Sequence, residues 1–437
     1  MKLNNLKFGM IAMITVFSLT AVSCQKRGCT DETAKNFNSN AKKDDGTCLF
    51  DEDEIDAIVK TGAITSNEIW TSNNVYVIKG KVVVESGVTL TIQEGTIIKG
   101  DEGQGTLASA LIIAQGAKLN AVGTVSKPII FTSILDNIRP GQLSGSNLDQ
   151  NNQGLWGGII ILGYAPISAA DGDVLAQVEG IPATDAFGAY GGSNPSDDSG
   201  DLAYISIRHG GALIGAGNEI NGLTLGGVGS GTSISNIEVV SNLDDGIEFF
   251  GGTVNVSNVL IGFQGDDGID IDMNYAGTVS NFVIVNGSNS DVALEIDGPE
   301  GTTNTSGLFN LINGTCYTYG GSGASGDFKS KAQGTVTNVK FGVAKIRASY
   351  QNSCVDPKTD AFTYLTASSP KLIFTGSEFS SISVYTASDD GGNPATGCSV
   401  FSADQSAAEA VMTSIPATGF SASSFMSWTW SGVNGKL

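Results

Sequence analysis

The middle of the chain repeats itself. Ile234-Ser235-Asn236-Ile237-Glu238-Val239 leads into Asp244-Asp245-Gly246-Ile247-Glu248-Phe249. Val256-Ser257-Asn258-Val259-Leu260-Ile261 leads into Asp266-Asp267-Gly268-Ile269-Asp270-Ile271, and Val279-Ser280-Asn281-Phe282-Val283-Ile284 into Ala293-Leu294-Glu295-Ile296-Asp297. The three asparagines lie 22 and 23 residues apart. Short β-branched runs at that period, separated by Gly, Asn and Asp turns, predict a parallel β-solenoid. Each period is one coil, which buries its apolar side only by stacking on the next. The fold class expected is therefore all-β, a single parallel β-helix.

Charge narrows the partners. The chain carries 23 basic and 44 acidic residues, a net charge of -21, which argues against nucleic acid and suits a surface that holds cations. The single histidine, His209, argues against a multi-histidine metal centre.

The N-terminus reads as an export signal over residues 1–23. Lys2 and Lys7 precede an apolar run from Phe8 to Leu19, too short to span a bilayer comfortably. It ends Ala21-Val22-Ser23-Cys24, small residues before a cysteine, which resembles a lipoprotein cleavage site with acylation at Cys24. The expected state is a monomer anchored to a membrane by its N-terminal lipid. In an exported chain, Cys29 and Cys48 are expected to close a disulfide loop within a polar tether, residues 24–54. Closing it stabilises a coreless segment by about 3 kcal/mol. Cys316, Cys354 and Cys398 leave one odd thiol.

The β-helix is expected over residues 55–437, with a short helix from Ile55 to Lys60 and regular strands from Val75. Polar, Gly-rich composition marks two excursions from the coils, at about residues 136–152 and 169–201. Asp404 to Ile415 has helical composition, with Ser402 as N-cap, and would cover the last coil.

Several segments carry a resemblance. Val88-Thr89-Leu90-Thr91-Ile92-Gln93-Glu94-Gly95-Thr96-Ile97-Ile98-Lys99-Gly100, Lys127-Pro128-Ile129-Ile130-Phe131-Thr132-Ser133, Trp156-Gly157-Gly158 and Asp244-Asp245-Gly246-Ile247-Glu248-Phe249-Phe250-Gly251-Gly252-Thr253 resemble surface β-helix lipoproteins of Bacteroidota-type bacteria. The resemblance weakens after about Asp297. It implies a right-handed, pectin-lyase-like β-helix on an outer-membrane lipoprotein, with no established activity and no catalytic set. The Cys29–Cys48 loop separately resembles a short calcium-loop-like repeat of exported proteins from the same bacteria.

Aligning the repeats stacks Glu248, Asp270 and Glu295 in one column, Asp272 and Asp297 in a second, and Asp245 and Asp267 in the preceding turn. Coils about 4.8 Å apart bring these charges into strong repulsion. Either a cation neutralises them, or some carboxyls stay protonated, or they splay into solvent. Calcium, which takes many hard oxygens in flexible geometry, fits Asp245, Glu248, Asp267 and Asp270 best. The competing account is that Asp-Asp-Gly builds turns and the strand acids are a solvated face. The asparagine column is expected to be structural.

Gln264-Gly265-Asp266-Asp267 resembles one piece of a polygalacturonase site, but Arg208-His209-Gly210-Gly211 lies upstream, in the wrong order. A lyase would need a base such as Arg208 or Arg347. Among Trp156, Tyr164, Tyr190, Trp428 and Trp430, most are expected to pack. Tyr190 lies in a loop with Asn194, Asp197, Asp198 and Asp201, a set compatible with metal or glycan. The function expected is a non-catalytic binding or structural module for glycan, matrix or protein, stabilised by calcium. A polysaccharide lyase or glycoside hydrolase for acidic glycans is the alternative.

Overall fold

The structure, a computed structural model, describes residues 57–178, 180–181, 184–215, 218–351, 356–386, 388–389, 393–394 and 401–437, and in the N-terminal part 26, 28–30, 34 and 37–43. The chain divides into two compact units, residues 1–55 and 56–437. In the first, Cys29 is buried and disulfide-bonded, while Cys24 and Cys48 lie outside the described residues. The second is a right-handed parallel β-helix.

Among the described residues, most strands join into one 24-stranded sheet wound around three faces, and three small two-stranded sheets lie outside it. One coil shows the plan. Ser233–Val240 runs along two faces, bending at Asn236; a turn through Asp244 and Asp245 leads to Ile247–Phe250 on the third face; the next coil opens at Asn255. Successive coils pair in parallel and in register: Ile237 with Val259 and Phe282, Ile247 with Ile269 and Leu294. Side chains alternate in and out along each strand. Ile247, Phe249, Ile269, Ile271, Leu294 and Ile296 therefore enter the core, and the residues between them point outward.

The corner asparagines explain their own spacing. Asn236, Asn258, Asn281 and Asn338 all adopt the left-handed region, at φ between 54° and 59°. Asparagine tolerates that region better than other non-glycine residues. Their amides form a ladder along the axis: Asn281 Nδ2 donates to Asn258 Oδ1 at 3.2 Å, Asn313 to Asn281 at 3.2 Å, and Asn338 to Asn313 at 2.8 Å. Asn313 belongs to this column although the 32-residue gap from Asn281 breaks the period. Gly298 to Leu308 form an extra loop in that coil.

The coils begin earlier than Val75. Ile58–Ile64 is a strand paired with Val75–Val84, where the sequence suggested a short helix up to Lys60. So short a helix is marginal by itself, whereas β-branched residues beside an open strand edge gain a hydrogen-bonded partner. The C-terminal helix spans Phe401–Val411, so Ser402 lies within it rather than capping it. It covers the last coil as expected: Gln405 accepts from Val384 N and donates to Ile382 O, both at 2.9 Å, occupying the edge of the final strand Ser381–Thr386. Beyond it, the chain returns along the outside of the coils. Phe425, Trp428 and Trp430 pack on Val240, Leu260, Val283 and Val285. The amides of Trp430 and Ser431 donate to the buried Glu238 carboxylate at 2.7 and 2.8 Å.

Replacing Asn281 separates the two roles of the ladder. Asn281→Ala forces alanine into the left-handed region and removes two amide bonds, and should destabilise by about 2 kcal/mol in a thermal or denaturant melt. Asn281→Gly restores the backbone freedom and should cost less. Equal losses would mean that the backbone conformation contributes nothing.

Candidate functional site

The third face carries the site. Its outward positions form one register: Ile160, Thr224, Glu248, Asp270, Glu295, Asp327 and Lys345 on successive coils. The column therefore begins apolar, becomes acidic and passes through Lys345 to end at Ser383. Where it turns acidic, it opens into a cleft of about 410 Å³. Eight carboxylates line it: Glu219, Asp244, Asp245, Glu248, Asp266, Asp270, Asp272 and Glu300. Asn221 and Thr224 add neutral oxygens, and Ile160, Val178, Ile214, Ile220, Phe250 and Met273 form apolar walls. Among the described residues, no lysine, arginine or histidine lines it.

Three of the four acids expected to converge are in the cleft: Asp245, Glu248 and Asp270, whose ligand oxygens lie within 4.8 Å of one another. Asp267 sits beside them and groups instead with Asp266 and Asp291. The turn-building account of Asp-Asp-Gly also holds. Asp245 Oδ1 accepts Asp267 N at 2.9 Å, and Asp267 Oδ1 accepts Val292 N at 2.7 Å. The second column adjoins the first, as Asp270, Asp272 and Asp297 form a further group.

Burial and mutual repulsion make the cleft hostile to its own charge. Desolvation first, and then neighbouring carboxylates, push Asp245, Glu248 and Asp270 well above the usual carboxylate range. The same causes, in the same order, raise Asp244 to about 7. Asp267 also reaches about 7 and Asp297 about 6, with burial the largest cause in each. Two buried oxygens, Asn221 Oδ1 and Asp270 Oδ1, have no hydrogen-bond partner among the described residues. Asn221 is only 5% exposed, and its amide nitrogen donates to Glu248.

Other acids of these coils have partners. Glu295, in the same column, is paired with Lys329, which also approaches Asp297 at 3.8 Å. Asp327 accepts the Tyr385 hydroxyl at 2.7 Å. Asp360 is held by Arg347 at 2.9 Å. Nothing printed in the sequence distinguishes Glu248 and Asp270 from Glu295; the supply of Lys329 from the next coil does.

The remaining candidates are dispersed. Tyr190 is 2% exposed, with its ring against Phe250 and its hydroxyl near Met273 Sδ, so it offers no face to a ligand. Asn194 accepts Ser196 N, and Asp197 is buried with Ser199 Oγ donating to it. Asp198 pairs with Lys118 at 2.5 Å and caps Gly200 N. Asp201 lies exposed on the strand Gly200–Arg208. Loop and strand geometry thus employ most of this set. Arg208 and His209 are fully buried, with Arg208 Nε on Ser206 and His209 Nδ1 2.7 Å from Asn152 O; Arg347 also bonds Ser330. The cleft members that sequence reasoning missed are Glu219, Asn221, Asp244, Asp266 and Glu300. Asn221-Gly222 had a signal, since it occupies the repeat position of Asp245-Gly246 and Asp267-Gly268, whose glycines all precede paired strands.

A family profile described as a pectate-lyase like beta helix domain matches residues 62–315, more than half of the chain. The chain belongs to that family. No curated protein and no solved structure matches it.

The raised acids set a pH dependence with a definite sign. A carboxyl whose folded-state pKa exceeds its unfolded value near 4 binds more protons when folded. Its stabilising contribution is complete below the unfolded pKa and is lost as pH rises through the folded value, about 7 for Asp244 and Asp267. In chelator, the melting temperature should fall between about pH 5 and 7.5, and Asp244→Asn/Asp267→Asn should flatten that fall. Circular dichroism melts decide it; an equal fall in both proteins would overturn the assignment.

Proposed function

We propose that this pectate-lyase-like β-helix is a non-catalytic binding module of the cell surface, and that its acidic cleft is a calcium site through which ligand is held. The single observation carrying the reading is the concentration, among the described residues, of eight carboxylates in one cleft without a basic side chain. Calcium accepts six to eight oxygens in flexible geometry, which matches carboxylates from several coils together with the unpartnered Asn221 amide oxygen. A cation there stabilises the ionised acids that burial and repulsion otherwise disfavour. Coordination positions toward solvent remain for oxygens of a glycan or a surface protein. Anchoring rests on the N-terminal sequence: Lys2, Lys7, the apolar run and the small residues before Cys24.

One observation favours a second reading, hydrolysis of an acidic glycan. Asp244 and Asp267, raised to about 7, supply protonated carboxyls beside other acids, the pairing that glycoside hydrolysis uses. A lyase reading has less support, because Arg208 is buried and Arg347 is engaged with Asp360. Release of reducing ends from polygalacturonate, abolished by Asp244→Asn, would establish the second reading over the first.

Calcium binding is tested directly. At neutral pH and a hundredfold excess over its dissociation constant, calcium should stabilise the fold by about 2.7 kcal/mol relative to chelator. Asp245→Asn/Asp270→Asn should remove that shift. No shift in the wild type would end the calcium reading, and a shift surviving in the double variant would place the ion elsewhere. The anchor has its own test: Cys24→Ser should release the protein from the membrane fraction and abolish labelled-palmitate incorporation. Unchanged membrane association would overturn it.

A further inference from the structure

Of the aromatic residues that sequence singled out, Trp156, Tyr190, Trp428 and Trp430 are at most 2% exposed, whereas Tyr164 is 39% exposed. Tyr164 lines a second concavity on the third face, of about 600 Å³. Phe187 lines it too, and Val83 and Ala114 add buried apolar surface. The rim carries Lys81, Glu85, Ser86 and Gln115. Val83 aligns with Ile112, and Ile112 with Ile160 at the start of the acidic cleft, so the two sites adjoin on one face, Tyr164 following the strand Ile159–Leu162 that carries Ile160.

Hydrogen bonds hold the backbone around Tyr164. Tyr164 O accepts Asn194 N at 2.8 Å. Gln115 Nε2 donates to Gly163 O and Gly191 O, each at 2.8 Å, tying both neighbouring segments to the coil. Gly116 lies against the hydroxyl end of the side chain: a Cβ there would stand 3.4 Å from the Tyr164 hydroxyl. A tyrosine side chain has only two rotatable angles, so ordering it on binding costs little entropy.

We propose that this groove is a carbohydrate subsite for neutral pyranose units, with Tyr164 as the stacking platform. The chemistry matches on each count. Apolar C–H faces of a sugar ring pack on aromatic faces. Sugar hydroxyls both donate and accept, and the rim presents a donor in Lys81, an acceptor in Glu85 and both in Ser86 and Gln115. Lys81 already faces Asp185, and Glu85 adds a second negative charge, so the groove does not favour a uronate. The subsite needs no cation and does not rest on the calcium reading.

The probes are cellotetraose, xylotetraose, mannotetraose and laminaritetraose, with tetragalacturonate as the acidic comparator, titrated calorimetrically into the whole protein in chelator and in calcium. At least one neutral tetrasaccharide should bind equally in both conditions. Tyr164→Ala should weaken that binding about tenfold, with Tyr164→Phe retaining most of it. Both variants change an exposed side chain, and their melting temperatures should match the wild type. The proposal is overturned if no neutral tetrasaccharide binds, if binding is lost in chelator, if tetragalacturonate alone binds, or if Tyr164→Ala and Phe187→Ala leave the affinity unchanged.

Discussion

Coils of a parallel solenoid are held about 4.8 Å apart by backbone hydrogen bonds, and no side chain can alter that spacing. Register then carries every residue type into a column of its own kind. Apolar columns become the continuous core, in which Phe249, Ile271 and Ile296 stack with negligible exposure. Asparagine columns become an amide ladder, because a group that both donates and accepts can bond to a copy of itself. Carboxylates have no such option when ionised, since they only accept. A column that satisfies asparagine therefore frustrates aspartate, and the acidic cleft is the physical consequence of one backbone rule applied to another side chain.

The protein resolves that frustration differently along one face. Lys329 neutralises Glu295, and Tyr385 bonds Asp327. Glu248 has Asn221, a neutral donor, and Asp270 retains a buried oxygen without a partner. Compensation is thus supplied from within the chain at one end of the column and withheld at the other. A fold that can place Lys329 beside Glu295 can neutralise such a column, and the uncompensated stretch is the one that the proposed calcium site would relieve. The apolar wall of Val178, Ile214 and Met273 sharpens the effect by lowering the local polarizability around the acids.

Legibility in the sequence followed the repeat. Asn236, Asn258 and Asn281, and the columns through Glu248 and Asp270, could be aligned because their coils keep nearly constant length. Asn313 escaped because the loop from Gly298 to Leu308 interrupts the period, although its conformation and bonds are those of the others. Glu219 and Glu300 escaped for a related reason: they reach the cleft from a small antiparallel strand pair and a loop outside the coils, whose paths periodicity does not encode. Tyr190 shows the opposite error. A polar, Gly-rich loop looks like an exposed surface in sequence, yet Ile167, Ile181 and Tyr190 fold back onto Val83, Ile112, Ile160 and Leu162 to make a second apolar cluster outside the helix. Composition reports that a segment leaves the coils, but not that it returns to cover them.

The clasp at Glu238 changes what kind of object the solenoid is. Stacked repeats interact only with their neighbours, so a plain array can peel from either end one coil at a time. Here the amides of Trp430 and Ser431, 192 and 193 residues away in sequence, close on a carboxylate in a middle coil. Peeling the C-terminal coils while the clasp holds would require the intervening chain to loop out under tension. Releasing the clasp would leave Glu238 buried without two of its donors. The returning C-terminal segment therefore acts as a hoop rather than a lid. It converts a zipper that could open progressively into a closed circuit whose coils, from Glu238 to the end, stand or fail together.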